Sequence, residues 1–132
     1  MATCFGIDTS ILVRLATGDP EADFERCVGQ LTQLVQSNNA EIFASNQVLG
    51  EAYMALQHHY GVNKADARAA LTSVLRSGLV APLNGQTVFT ALATTAGCGL
   101  LDRLIADDYQ RAELVTLTLD RRMAKLAQAQ EL

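Results

Sequence analysis

The apolar positions of this chain switch period again and again. Residues 3–7 are a short small-or-apolar run that reads as a strand, after which Ile11, Leu12 and Leu15 return at helical spacing up to Gly18. Asp19-Pro20 reads as an N-cap and first helical position, opening a stripe of Phe24, Cys27, Val28, Leu31, Leu34 and Val35 that stops near Ser37-Asn38-Asn39. Glu41–Ala44 is a second short strand. Ser45 then caps a helix with Val48, Leu49, Ala52, Tyr53 and Leu56 inward, closed by Gly61. Asn63 caps the next helix, with Ala67, Ala70, Leu71 and Val74 inward and Gly78 at its end. Leu79–Pro82 is a third strand, and Asn84 caps a helix with Val88, Phe89 and Leu92. After Gly97-Cys98-Gly99, a helix with Leu101, Leu104 and Ile105 runs to about Arg111. Glu113–Leu119 is the last strand, and Met123, Leu126 and Ala127 mark a closing helix.

Strands alternating with helices predict an α/β fold, with a mostly parallel sheet covered by helices on both faces. No linker, repeat or low-complexity stretch interrupts the pattern, so residues 1–132 read as one domain. Composition agrees: 49% hydrophobic and 18% charged residues make a globular chain. Cys4, Cys27 and Cys98 are an odd number with no framework spacing, read as reduced thiols in a cytoplasmic protein. There is no signal-peptide pattern and no run of ~18 apolar residues, so no membrane span is expected. The net charge of −4 argues against sequence-blind nucleic-acid binding through a basic face. It leaves open an acidic site that meets phosphate through metal ions.

Four acids draw attention. Asp8 follows the first strand and Asp120 the last; in a parallel sheet such strand ends share one edge. Glu51 sits within a helix beside the apolar Ala52-Tyr53, and Asp102 in a first helical turn between Leu101 and Leu104. Each has an ordinary alternative. Asp8 and Asp120 could be helix caps, Asp102 could favour the helix dipole, and Glu51 could pair with an exposed base. Four carboxylates meeting at one place repel one another unless a divalent cation binds. An oxygen-only set with no His/Cys cluster suits Mg²⁺ or Mn²⁺, and such a metal suits phosphodiester hydrolysis.

Four segments, GIDTSILVRL, FASNQVLGEAYMAL, GLLDRLIAD and LVTLTLDRRMAKL, together resemble a PIN domain, and most closely the single-domain VapC-type toxins of toxin–antitoxin pairs. The resemblance covers nearly the whole chain. It implies a three-layer α/β/α sandwich around a central, mostly parallel sheet of four or five strands. It also implies a metal-dependent endoribonuclease, usually a homodimer, silenced by a cognate antitoxin whose tail enters the active-site groove. Asp8, Glu51, Asp102 and Asp120 match the acidic quartet that holds Mg²⁺ or Mn²⁺. Ser10 and Thr118 match the small polar positions supporting those acids. Two positions depart from the pattern. Gly99 and Met123 stand where many relatives carry further acids, which weakens the case for a second metal.

Arg14, Arg121 and Arg122 are candidate RNA contacts, with Lys125 beside the last two; a solvated helix face is the ordinary reading of such a run. Arg103 is a candidate for the groove rim. His58 is seven residues from Glu51, ~10 Å along the helix, too far to share an ion. His58 and His59 therefore read as surface or interface residues, Asp107 and Asp108 as solvated acids, and Tyr53, Tyr60 and Phe89 as core or dimer residues. Two readings compete: a metal-dependent ribonuclease acting as a toxin, and a catalytically weak PIN-like module that only binds a partner. A haloacid-dehalogenase-type phosphatase needs D-x-D at the first strand, and position 10 is Ser.

Overall fold

The computed structural model describes residues 3–132; residues 1 and 2, which the one-domain reading includes, lie outside it. The chain is α/β and parallel throughout, as the alternation predicts. Its contacts fall into two compact units, one ending at Gly85 and the other spanning Gln86–Leu132.

The first unit is built on strands β1 (Cys4–Gly6), β2 (Glu41–Ala44) and β3 (Ala81–Pro82), in the order β1-β2-β3. Cys4, Phe5 and Gly6 pair with Glu41, Ile42 and Phe43, and Phe43 and Ala44 pair with Ala81 and Pro82, all in parallel. Parallel neighbours require long crossovers, supplied here by helices. Helices α1 (Thr9–Thr17) and α2 (Glu21–Ser37) join β1 to β2; α3 (Asn46–His58) and α4 (Lys64–Leu75) join β2 to β3. Helices α1, α3 and α4 pack on one another around Leu12, Leu49, Ala52, Ala67 and Leu71, none of which keeps any exposed surface. Arg68 is buried with its guanidinium 5.8 Å from the Tyr53 ring centroid, a cation–π contact that lets a cation sit in this apolar junction.

The expected signals set the starts of α3 and α4 and the end of α1. The Ser45 hydroxyl accepts from the Val48 amide at 3.2 Å, and Asn63 accepts from the Asp66 amide at 2.8 Å. Gly18 ends α1 at φ 67°, a left-handed conformation that favours glycine, with its amide on the Arg14 carbonyl at 2.9 Å. Helices α3 and α4 end before the expected Gly61 and Gly78, with His59 and Arg76 as their C-caps, and two expected N-caps are not used. Pro20, in an extended conformation, takes the N-cap place of α2 instead of Asp19. Asn84 is parted from the following helix by Gly85 at φ 81°, so Gln86 precedes that helix.

The second unit holds α5 (Thr87–Ala93), α6 (Leu100–Arg111), β4 (Thr116–Thr118), a single 3-10 turn (Met123–Lys125) and β5 (Ala129–Glu131). Strands β4 and β5 form a parallel pair, Thr116 opposite Ala129 and Thr118 opposite Glu131. Cys98, Ala106 and Met123 form a buried cluster with Leu126 against it. Two expectations are corrected here. The closing helix is only the 3-10 turn: Leu126 is extended and Gln128 lies at φ 55°, so the chain leaves the helical path and pairs as β5. A helix this short is marginal in water, and the ladder bonds to β4 outweigh it. The inward face of α6 is Leu100, Leu104 and Ala106; Leu101 and Ile105 are exposed.

The five strands thus form ladders of three and two. All three cysteines are free thiols. Among the described residues no helix is long and apolar enough to cross a membrane.

Candidate active site

Strand β1 passes into the buried Ile7, whose amide still bonds the Phe43 carbonyl at 3.0 Å, and then into Asp8 at the N-cap of α1. The Asp8 Oδ1 atom accepts from the Ser10 hydroxyl at 2.5 Å, the Ser10 amide at 3.1 Å and the Ile11 amide at 3.4 Å. These donors favour the charged form. The Ser10 hydroxyl, first, and the Ile11 amide hold the Asp8 carboxyl below its ordinary value of 3.8, against the opposing effect of burial. Capping and ligand duty are compatible here, because every one of these bonds falls on Oδ1. No described residue donates to Oδ2.

A group with a depressed folded-state pKa adds stability above its unfolded pKa and loses it as pH falls through the folded value. Asp8 therefore stays ionised, and α1 capped, down to more acid pH than an isolated carboxylate. Ser10→Ala is expected to move the Asp8 pKa up towards 3.8, because it removes the largest of the lowering contacts. A carboxyl NMR titration reads this directly. An unmoved midpoint would mean that the hydroxyl does not hold the charge.

Thr9 was not singled out in the sequence, yet its hydroxyl donates to Glu51 Oε1 at 3.2 Å. That bond joins residues forty-two positions apart and exists because α1 packs on α3. Two consecutive hydroxyls thus serve two acids, Ser10 for Asp8 and Thr9 for Glu51. The signal was the D-T-S order itself, since consecutive helical residues point ~100° apart.

In the second unit Asp120 repeats the Asp8 arrangement. Its Oδ1 accepts from the Arg122 amide at 2.8 Å and the Met123 amide at 2.9 Å, in the turn that leads into the 3-10 turn. The Thr118 hydroxyl accepts from the Asp120 amide at 3.0 Å. Asp102 stands half-buried in the first turn of α6, where the helix dipole favours a carboxylate.

The family model for the PIN domain matches residues 6–129. The chain belongs to the PIN-domain family. No curated protein matches it. PIN domains are generally nucleases and typically use divalent metals, so the chain carries a nuclease-type fold.

The donors of this PIN domain suit a hard divalent ion in kind: carboxylate oxygens, with Oδ1 of Asp8 and of Asp120 fixed by backbone amides. The structure ties Glu51 on α3 to Thr9, the residue that follows Asp8. Among the described residues it does not gather three or more Asp, Glu, His or Cys side chains into a group that could hold a metal ion.

The two departures from the family pattern have different physical backgrounds. Met123 is buried against Cys98 and Ala106, where an unpaired acid would be costly. Gly99 is exposed at the N-cap of α6, and a Cβ built there meets nothing within 4 Å, so space does not forbid a side chain.

The candidate arginines are placed differently from one another. Arg14 donates to the Asp19 carbonyl at 2.9 Å and lies 3.8 Å from Asp23. Arg121 is 90% exposed with Glu131 at 3.7 Å, a pair worth little in water. Arg122 and Lys125 are exposed. Arg103, expected at a groove rim, instead turns back to the Ala96 carbonyl at 2.6 Å and ties down the loop before α6.

Proposed function

We propose that this PIN domain is a Mg²⁺- or Mn²⁺-dependent endoribonuclease of the VapC type, the toxin of a type II toxin–antitoxin pair. One observation carries the reading: an exposed Asp8 at the end of a sheet strand, its charged form favoured by the Ser10 hydroxyl, with Glu51 on the neighbouring helix bonded by the adjacent Thr9 hydroxyl. In this reading Asp8, Glu51, Asp102 and Asp120 are the metal ligands, and Ser10 and Thr118 are their supports. A bound divalent ion would supply an activated water and charge compensation at the phosphate. The protein's own contribution is orientation. Ser10 and the first amides of α1 fix the Asp8 carboxylate, and Thr9 does the same for Glu51. Arg14, Arg121 and Arg122 draw in the RNA backbone. The protein acts in the cytoplasm as a homodimer, silenced by a cognate antitoxin.

Purified protein with Mn²⁺ is expected to cut members of a single-stranded RNA panel. Glu51→Gln should lower kcat/KM by more than the ~10–100-fold seen when a group one shell beyond a metal is lost. Undiminished cleavage by this variant would remove Glu51 from the site. A second reading, a partner-binding module without strong catalysis, is favoured by Gly99 and by the burial of Met123. Calorimetric titration separates the two, since a chain that binds no Mn²⁺ at millimolar concentration is the module.

A further inference from the structure

An open depression of about 320 Å³ lies between α1 and the end of α3, lined by Thr9, Ser10, Arg14, Ala55, His59 and Tyr60. Its volume is at the lower end of the ~300–1,000 Å³ of small-molecule sites. It adjoins the acids directly: Ser10 and Thr9 are the hydroxyl partners of Asp8 and Glu51. Tyr60 lines the same depression, 45% exposed although it is one of the few aromatic residues in the chain. The turn that carries Tyr60 is fixed. The His59 amide bonds the Ala55 carbonyl at 2.8 Å, and the Val62 amide reaches back to the Leu56 carbonyl at 2.9 Å. Gly61 between them holds φ 64°, the left-handed conformation that closes the loop. Arg14 spends Nη1 on the Asp19 carbonyl and has the Asp23 carboxylate at 3.8 Å from that same nitrogen, which leaves its Nη2 and Nε donors for an anion.

We propose that this depression is a nucleotide subsite for single-stranded RNA, beside the phosphate presented to Asp8 and Glu51. The Tyr60 ring stacks a base, and His59 and Arg14 contact the adjoining phosphate. The Thr9 and Ser10 hydroxyls lie where a ribose 2′-hydroxyl can meet them. Tyr60 thereby takes a substrate-binding role in place of the core or dimer role read from the sequence. The subsite rests on the nuclease reading for its place beside the cut, and its test is separable from that reading.

The test is fluorescence anisotropy with a labelled single-stranded RNA, in the Asp8→Asn background so that the probe stays whole. Tyr60→Ala is expected to raise Kd about tenfold and Tyr60→Phe to restore it, since stacking needs the ring and not the hydroxyl. In the otherwise unaltered protein, Tyr60→Ala should raise KM while kcat stays within about twofold. If the unaltered protein cuts no RNA, the nuclease reading falls, and the anisotropy result still decides the subsite. An unchanged Kd in Tyr60→Ala overturns it and leaves the depression to a protein partner, and so does a background protein that binds no RNA.

Discussion

Asp8→Asn is expected to abolish Mn²⁺-dependent RNA cleavage, by on the order of 100-fold or more, while the protein melts almost where it did before. The two halves of that result have separate causes. Asn presents the same Oδ1 to the Ser10 hydroxyl and to the Ser10 and Ile11 amides, and it ranks with Asp as an N-cap, so α1 keeps its start. What disappears is the negative charge that the Ser10 hydroxyl stabilises. Asp8→Ala is the complementary variant, losing the charge and also about 1 kcal/mol of capping. Cleavage rates and thermal melts on both variants check the pair. An Asp8→Asn protein with near-normal turnover would show that the charge at position 8 is incidental. One that fails to fold would show that the cap is not interchangeable.

Leu12→Ala is expected to destabilise the fold by about 2–5 kcal/mol, a large part of the 5–15 kcal/mol that holds a typical domain together. Leu12 has no exposed surface and sits where α1 meets α3 and α4. Those neighbours are anchored by Leu49 and Leu71, themselves fully enclosed, so the space cannot close by a side-chain swing. Urea unfolding measures the change as a lower midpoint at unchanged slope. A loss under about 1 kcal/mol would mean that the junction relaxes around the cavity, and that the three-helix packing is looser than its burial indicates.

Helix α3 and strand β2 were legible in the sequence nearly to the residue, because their cues are local: Ser45 as cap, an apolar face of Leu49, Ala52, Tyr53 and Leu56, and an EIFA run beginning after a turn. The PIN-family segments were legible for the same reason, as short ordered patterns. What escaped depends on partners distant in sequence. Strand β5 has the alanine- and glutamine-rich composition of a helix and becomes a strand only because β4 offers three ladder positions. Thr9 gains its role from a carboxylate forty-two residues away. Leu101 and Ile105 matched the inward spacing, but the face that packs against α5 and β4 is one step round the helix, at Leu100 and Leu104. Of the site itself, the capping geometry of Asp8 and Asp120 could be read as one of two alternatives. The structure realises that alternative, and among the described residues nothing donates to the second oxygen of either acid.

The pairing of β4 with β5 exposes the chain to a particular form of damage. Asp120 stands two residues past Thr118, and the Thr118 carbonyl is held by the Leu132 amide at 2.9 Å. Residues 129–132 are therefore the second rail of the ladder that carries this carboxylate. A substitution that breaks this rail would spare the Asp120 side chain itself and still unmoor it.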